Sequence, residues 1–279
     1  MKTILIPTED HEWMPAVLET ARLIASRFDS YMEGIAIRPA GAEFVTVEPV
    51  SSLAIASVEQ ADAEIAREAR AAFETFMQAH QVPRAVARGK AAYSFDWIRV
   101  DAEDDAFVGN YGRLFDLTVL GRPGRSPQHP RMAPLESALF ETGHPVLIAP
   151  PSAPQVLGEN VLVAWNGSTE QARTTASSLP LLQGARQVTV LSVEGGMTPG
   201  PSGEQVARFL GRHGIDAAAT TIAPGSRSTG EAILEHGKTL GCDLLVKGAY
   251  TQSRLRQIIF GGTTRHILAN ATLPVLMAR

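Results

Sequence analysis

Short apolar runs recur along the chain, and three of them occur twice. Lys2–Pro7 reads like Asn160–Ala164, Asp116–Gly121 like Asp243–Gly248, and Pro145–Ala149 like Pro274–Ala278. The offsets of 157, 127 and 129 residues keep the segments in order, which marks an internal duplication. The drop of 30 between the first two offsets predicts about 30 extra residues in the first half, between Pro39 and Ala72. Each run is rich in Val, Ile and Leu without polar alternation, the pattern of strands buried on both faces of a parallel sheet.

Helical signals fill the intervals. Ser168 with Gln171, Ser202 with Gln205 and Ser228 with Glu231 have capping-box spacing and predict three helix starts among the apolar runs 187–193, 217–222 and 242–247. In the first half Ser57 with Gln60 predicts the start of a long helix to about His80, with a stripe of Ala61, Ile65, Ala69, Ala72, Phe73 and Phe76. Helices at 15–28 and 134–142 correspond to those at 169–183 and 262–271. Pro150–Pro154 holds three prolines in five residues and reads as a linker between domains 1–150 and 151–279. Alternating strands and helices predict an α/β fold of two tandem doubly wound α/β/α domains, each with a five-stranded parallel sheet. Ligands of such sheets bind beyond the carboxyl ends of the strands, where the strand order reverses.

Composition narrows the chemistry. With 25 basic against 29 acidic residues the net charge is −4, so no broad cationic field points to nucleic acid. The single cysteine, Cys242, excludes an intramolecular disulfide and a multi-cysteine zinc site, and fits a reducing, cytoplasmic setting. The seven histidines show no metal-ligand spacing, and no nucleophile elbow or Walker motif occurs. The apolar stretch at the start is too short for a secretory signal, and no run approaches 18 apolar residues, so no membrane partner is expected.

The segment from Gly248 to His266 carries the strongest chemical signal. Gly248, Gly261 and Gly262 let backbone amides approach a ligand, and Gly261-Gly262-Thr263-Thr264 directly precedes a helix, whose free N–H groups and partial positive charge suit phosphate. This loop, the duplicated halves and the two opening strands resemble the universal stress protein family, specifically its tandem two-domain members. That resemblance implies a Rossmann-like fold similar to the adenine nucleotide alpha hydrolases. It further implies ATP or another adenine nucleotide as cofactor, with or without Mg²⁺. ATP-binding members carry Gly-x2-Gly-x9-Gly-[Ser/Thr]; here the spacing is Gly248-x2-Thr251-x9-Gly261-Gly262, so Thr251 replaces a loop glycine and Gly262 takes the Ser/Thr place. The resemblance places the nucleotide against Ala164, Asn166, Val193, Lys247, Gly248, Thr251, Gly261, Gly262, Thr263 and Thr264. Asn166 stands where ATP-binding members have an Asp, and weaker ribose capture is expected from it.

The first half keeps Gly121-x2-Gly124, but Pro134-Leu135 falls where the later Gly-[Ser/Thr] belongs, and Glu136 would repel phosphate. This half reads as degenerate for nucleotide, although Glu9 and Asp10 stand near the family's Asp. The leading reading is therefore a stress-response regulator whose second domain binds nucleotide, which orders residues 248–262 and changes a surface for an unknown protein partner. A weak ATPase or nucleotide-transfer enzyme and a scaffold without nucleotide stand beside it. The family's pairing through fifth strands implies a pseudo-dimer within the chain, with a further homodimer open. Turn glycines, a solvated face for Arg254, Arg256 and Arg265, and a plain turn and cap at Asn166-Gly167-Ser168 are the bland counterparts.

Overall fold

The computed structural model describes residues 1–38, 52–86, 92–98, 103–249 and 261–279, with the backbone alone for 52–59, 61 and 62. The first half comprises β1 (Thr3–Thr8), α1 (Met14–Phe28), β2 (Tyr31–Ala36), α2 (Ser52–Ala79), β3 (Ser94–Trp97), α3 (Asp105–Tyr111), β4 (Leu117–Gly121), α4 (Met132–Glu141) and β5 (Val146–Ala149). The second comprises β6 (Asn160–Ala164), α5 (Thr169–Gln183), β7 (Gln187–Val193), α6 (Gly203–Arg212), β8 (Ala217–Ile222), α7 (Thr229–Thr239), β9 (Leu244–Val246), α8 (Gly262–Asn270) and β10 (Val275–Met277).

All ten strands form one sheet in the order β3-β2-β1-β4-β5-β10-β9-β6-β7-β8. The five strands of each half run parallel in the doubly wound order, and the halves join through an antiparallel pair in which Leu147 faces its repeat counterpart Leu276. The fifth-strand pairing expected within the chain is thus present. Helices cover both faces. Ile4, Ile6 and Val163 bury one face of the sheet under α1, α2, α5 and α6, while Leu5, Leu162 and Leu245 bury the other under α3, α4, α7 and α8. This two-sided burial is why central strands such as β1, β4, β5 and β6 read as apolar runs, while the edge strand β8 is largely exposed.

The duplication extends to hydrogen bonds. The Asp116 carboxylate accepts from the Lys2 and Thr3 amides, and the Asp243 carboxylate accepts from Glu159 and Asn160, tying the start of each β4 or β9 strand to the start of β1 or β6. Ser168, Ser202 and Ser228 all cap their helices as expected, but only Ser202 and Gln205 complete a capping box. Ser57 is not a cap: α2 starts at Ser52 and runs 28 residues, against 10 for its counterpart α6. Its buried stripe is Ala66, Ala69, Phe73 and Met77, with Ile65 and Phe76 on the flank and Ala72 outside. Ala69 and Phe73 of the expected stripe are buried, Ile65, Ala72 and Phe76 each lie one position before a buried residue, and the Ala61 side chain lies outside those described. Residues 39–51 lie outside the described residues, as does Thr251 with Arg254 and Arg256.

Candidate functional site

Strand order reverses in the second half between β6 and β9, because β6 pairs with β7 on one side and β9 on the other. A cavity of about 210 Å³ opens there, lined by the carboxyl ends of β6 (Ala164, Trp165, Asn166) and β7 (Leu191, Val193), by Lys247 after β9, and by Gly261, Gly262, Thr263 and Thr264 at the head of α8. Gly196, Thr229 and Ile233 close it. Eight of the ten residues singled out in the sequence therefore meet at one cavity.

Gly248 does not line it. A Cβ on Gly248 would lie 2.6 Å from the Gln171 amide nitrogen and 2.8 Å from its Cα, so this glycine permits α5 to seat against the end of β9. Its amide is also engaged, donating to Gln171 Oε1 at 2.6 Å. That bond explains the incomplete capping box at Ser168: the Gln171 side chain reaches across to β9 and not back to the cap. Thr251 lies outside the described residues.

Gly261 and Gly262 behave oppositely. Among the described residues no heavy atom lies within 4 Å of a Cβ built on either, and neither has a positive φ. Neither packing nor backbone conformation demands glycine here. Gly261 is the N-cap of α8 without a side-chain cap, so the amides of the first helical turn point to the cavity without a protein acceptor from a capping side chain.

Lys247 brings the charge. It is 5% exposed, and its Nζ donates to the Gly248 carbonyl at 2.7 Å, its one hydrogen bond among the described residues. Burial lowers its pKa to about 8, with Glu170 opposing the shift. An anion in the cavity would relieve that desolvation cost directly.

Asn166 Oδ1 accepts from the Ser168 amide at 3.2 Å and from Ser168 Oγ at 2.8 Å. The carboxamide oxygen is used up internally, which leaves the Nδ2 donors for a ligand. Trp165 Nε1 donates to the Pro201 carbonyl at 2.7 Å, and the Thr198 amide donates to the Asn166 carbonyl at 2.8 Å, so the loop after β7 is stitched over the loop after β6. Gly167, at φ +84, must be glycine for this: a Cβ would meet the Thr198 carbonyl at 2.6 Å. The free polar groups of the cavity are thus donors, set against the apolar wall of Leu191, Val193 and Ile233. Trp165, Leu191, Gly196, Thr229 and Ile233 escaped sequence reading, since only the packing of α7 beside α8 brings Thr229 and Ile233 there.

The equivalent place in the first half is bridged by an ion pair. Arg131, the N-cap of α4, donates from Nε to Glu9 Oε1 at 2.5 Å and from Nη1 to Asp105 Oδ2 at 2.8 Å. Glu9 is 8% exposed, and its pKa is raised by burial against the opposing pull of Arg131. The retained glycines have a packing use: a Cβ on Gly121 would strike Pro130 at 2.4 Å, and one on Gly124 would strike His129 at 2.2 Å.

Among the described residues no His, Cys, Asp or Glu cluster could hold a metal ion, and no helix is long and apolar enough to cross a membrane. Cys242 is half-buried, and burial pushes its thiol up to about 11, in keeping with a packing role.

A tandem doubly wound sheet with a crevice at one switch point defines a two-lobed α/β class of fold. Residues 159–279 match the model of the universal stress protein family. A universal stress protein from Archaeoglobus fulgidus DSM 4304 has the same fold over the full length, with a TM-score of 0.72, 14% identity and 99% of this chain aligned to 98% of that one. A functionally unknown protein from Pseudomonas aeruginosa PAO1 aligns 100% of this chain to 92% of its own at a TM-score of 0.56 and 14% identity. The stress response protein NhaX of Bacillus subtilis (strain 168) is 35% identical over 49 residues, 18% of this chain and only 30% of that relative's length.

Proposed function

We propose that the second-half crevice binds a phosphorylated adenine nucleotide and that the protein acts in a stress response as a ligand-biased regulatory module. The observation that supports it most is the convergence of the uncapped head of α8, with open space beside Gly261 and Gly262, on the same cavity as the buried Lys247 ammonium. Such a helix start with an added cation is an anion site, and the leucine and valine wall suits a base. Thr263 and Thr264 add hydroxyl donors for phosphate oxygens. Asn166, donating and not accepting, holds a ribose less firmly than a carboxylate would, so most of the affinity comes from the phosphates. At about 210 Å³ the cavity is smaller than the roughly 300 Å³ where small-molecule pockets begin, so the nucleotide is only partly enclosed. The first half, its crevice spanned by Arg131, Glu9 and Asp105, takes no nucleotide in this reading.

Calorimetric titration of the full chain with ATP, ADP and AMP tests it. Affinity is expected to fall with phosphate number, and Gly261→Asp, which puts a carboxylate at the head of α8, is expected to abolish it. The absence of heat with all three nucleotides would overturn the reading in favour of a scaffold that has no nucleotide.

A further inference from the structure

A second cavity, of about 720 Å³, lies at the seam between the halves, where the loop after β4 meets the flank of α8. The first half contributes Trp13, Arg122, Arg125 and His129, and the second contributes Arg265 and Asn270. Three guanidinium groups face this space, and no carboxylate is among the residues that line it. Elsewhere in the chain, whose net charge is −4, Arg22, Arg70, Arg84 and Arg131 are each paired with Asp or Glu.

The partners of the three arginines make the point sharper. Arg122 donates from Nη1 to the Ala269 carbonyl at the end of α8, and its guanidinium lies 5.4 Å from the centre of the Trp13 ring. Its Nε is buried and has no hydrogen-bond partner, and burial lowers its pKa with no anion to oppose the shift. The side chains of Arg125 and Arg265 make no ion pair or hydrogen bond with any described residue. Arg265 turns to this seam and not to the crevice at the head of its own helix.

The surrounding groups define what could fill the space. Trp13 is already engaged, with His129 stacked on it at a ring-centroid distance of 4.0 Å and the Arg122 guanidinium over the ring at 5.4 Å. It therefore braces cations and is no platform for a base. His129 Nε2 is 2.8 Å from Glu12 Oε1, and its Nδ1 accepts from the Ser126 amide at 3.4 Å, so both ring nitrogens are engaged and the ring adds no free donor. What remains is a concave, three-cation surface of nucleotide-like volume. Guanidinium forks bind phosphate in pairs of parallel hydrogen bonds, and charges drawn partly out of water are stable when paired.

We infer that this seam is a second ligand site, which takes a small molecule carrying two or more phosphate groups and clamps the loop after β4 to α8. The site is separate from the nucleotide crevice: α8 presents its first turn to one and its Arg265–Asn270 flank to the other.

Inorganic tripolyphosphate, which has the charge and no base, is the probe. It is titrated by calorimetry into the full chain, into Gly261→Asp, and into the triple variant that adds Arg125→Gln and Arg265→Gln to Gly261→Asp. Both arginines are exposed, so the triple variant is expected to melt within about a degree or two of Gly261→Asp. Because the crevice also offers phosphate donors, the expected result is tripolyphosphate binding that is kept in Gly261→Asp and weakened at least tenfold when Arg125→Gln and Arg265→Gln are added to Gly261→Asp. Affinity retained in that triple variant, or none in the parent chain, overturns the inference. If Gly261→Asp itself loses binding, hydrogen exchange of the parent chain decides: protection at 121–131 and 265–270 supports the seam, and protection confined to the head of α8 with 164–168 overturns it. The nucleotide reading stands or falls separately, on the ATP, ADP and AMP titrations.

Discussion

Arg131 and Gly261 occupy the same place in the two halves, each the residue that precedes the first turn of the half's last helix. Arg131 crosses the first crevice to Glu9 and Asp105, whereas no described residue lies within 4 Å of a Cβ on Gly261. One duplicated frame thus carries a bridged switch point in the first half and an open crevice in the second.

Removing the Arg131 side chain should be costly. Arg131→Ala leaves Glu9, almost fully buried, without its counter-ion, and breaking a buried pair from one side typically costs about 3–5 kcal/mol. Glu9 already has its pKa raised by burial, and the loss of Arg131 raises it further. A carboxyl whose folded pKa is raised holds its proton better when folded, so the deficit of the variant should shrink as pH falls into the carboxylate range. Urea melts at pH 5 and pH 8 check this: an equal deficit at both would contradict it. Glu9→Gln combined with Arg131→Met should recover most of the loss.

Glycines that look alike in the sequence should separate on mutation. Gly248→Ala forces a Cβ against the backbone of Gln171 and should destabilise by about 1–3 kcal/mol, as other overpacked sites do. Gly261→Ala and Gly262→Ala meet nothing among the described residues and should leave the melting temperature almost unchanged. Their effect should appear in ligand titration alone. Thermal melts of the three single variants decide whether Gly248 is a packing residue as its contacts state.

Much of this was legible in the sequence, for identifiable reasons. Strands buried on both faces write themselves as unbroken Val, Ile and Leu runs, and Ser168, Ser202 and Ser228 announce helix starts through their own hydroxyls, so element order followed, while the fifth-strand pairing came from the family resemblance alone. The crevice was locatable because Asn166, Lys247 and Gly261 sit at strand and helix ends whose meeting is fixed by topology. What the sequence hid depends on three-dimensional approach. Nothing local tells that Gly248 faces α5 while Gly261 faces space, that Gln171 leaves its cap for the Gly248 amide, or that Arg131 bridges to Glu9 from 122 residues away. The α2 helix began five residues before the cap its sequence offered, since α2 is held by Phe73 and Met77 against the sheet and does not need Ser57.

Lys247 should make ligand affinity dependent on pH. With a pKa lowered to about 8, the amine is mostly charged at pH 7 and mostly neutral by pH 9. The outer phosphate ionises near pH 6, so the ligand itself does not change over that interval. Affinity for ATP should therefore fall as pH rises through about 8, and Lys247→Met should bind weakly and without that slope. Affinity that is flat from pH 7 to 9.5 in the parent chain would remove Lys247 from the site. Stability of the ligand-free chain runs the other way. The unfolded lysine holds its proton up to about pH 10.5 while the folded one has lost it, so stability rises between about pH 8 and 10.5.

His11 sets the opposite end of the pH range. It is 9% exposed, its Nδ1 is buried without a hydrogen-bond partner, and burial lowers its pKa to about 4. His129 adds to that shift, while Asp10 and Glu12 oppose it. Unfolded, the same side chain titrates near 6.5, so below that value the unfolded chain binds a proton that the folded chain refuses. Stability contributed by the neutral ring is complete above about pH 6.5 and is lost as pH falls toward 4, an amount on the order of 3 kcal/mol over the whole interval. A His11→Phe variant keeps an apolar ring in the same place and has no proton to take up. Its melting temperature should fall less than that of the parent chain between pH 6.5 and 4.5, and parallel curves for the two proteins would show that acid sensitivity arises elsewhere.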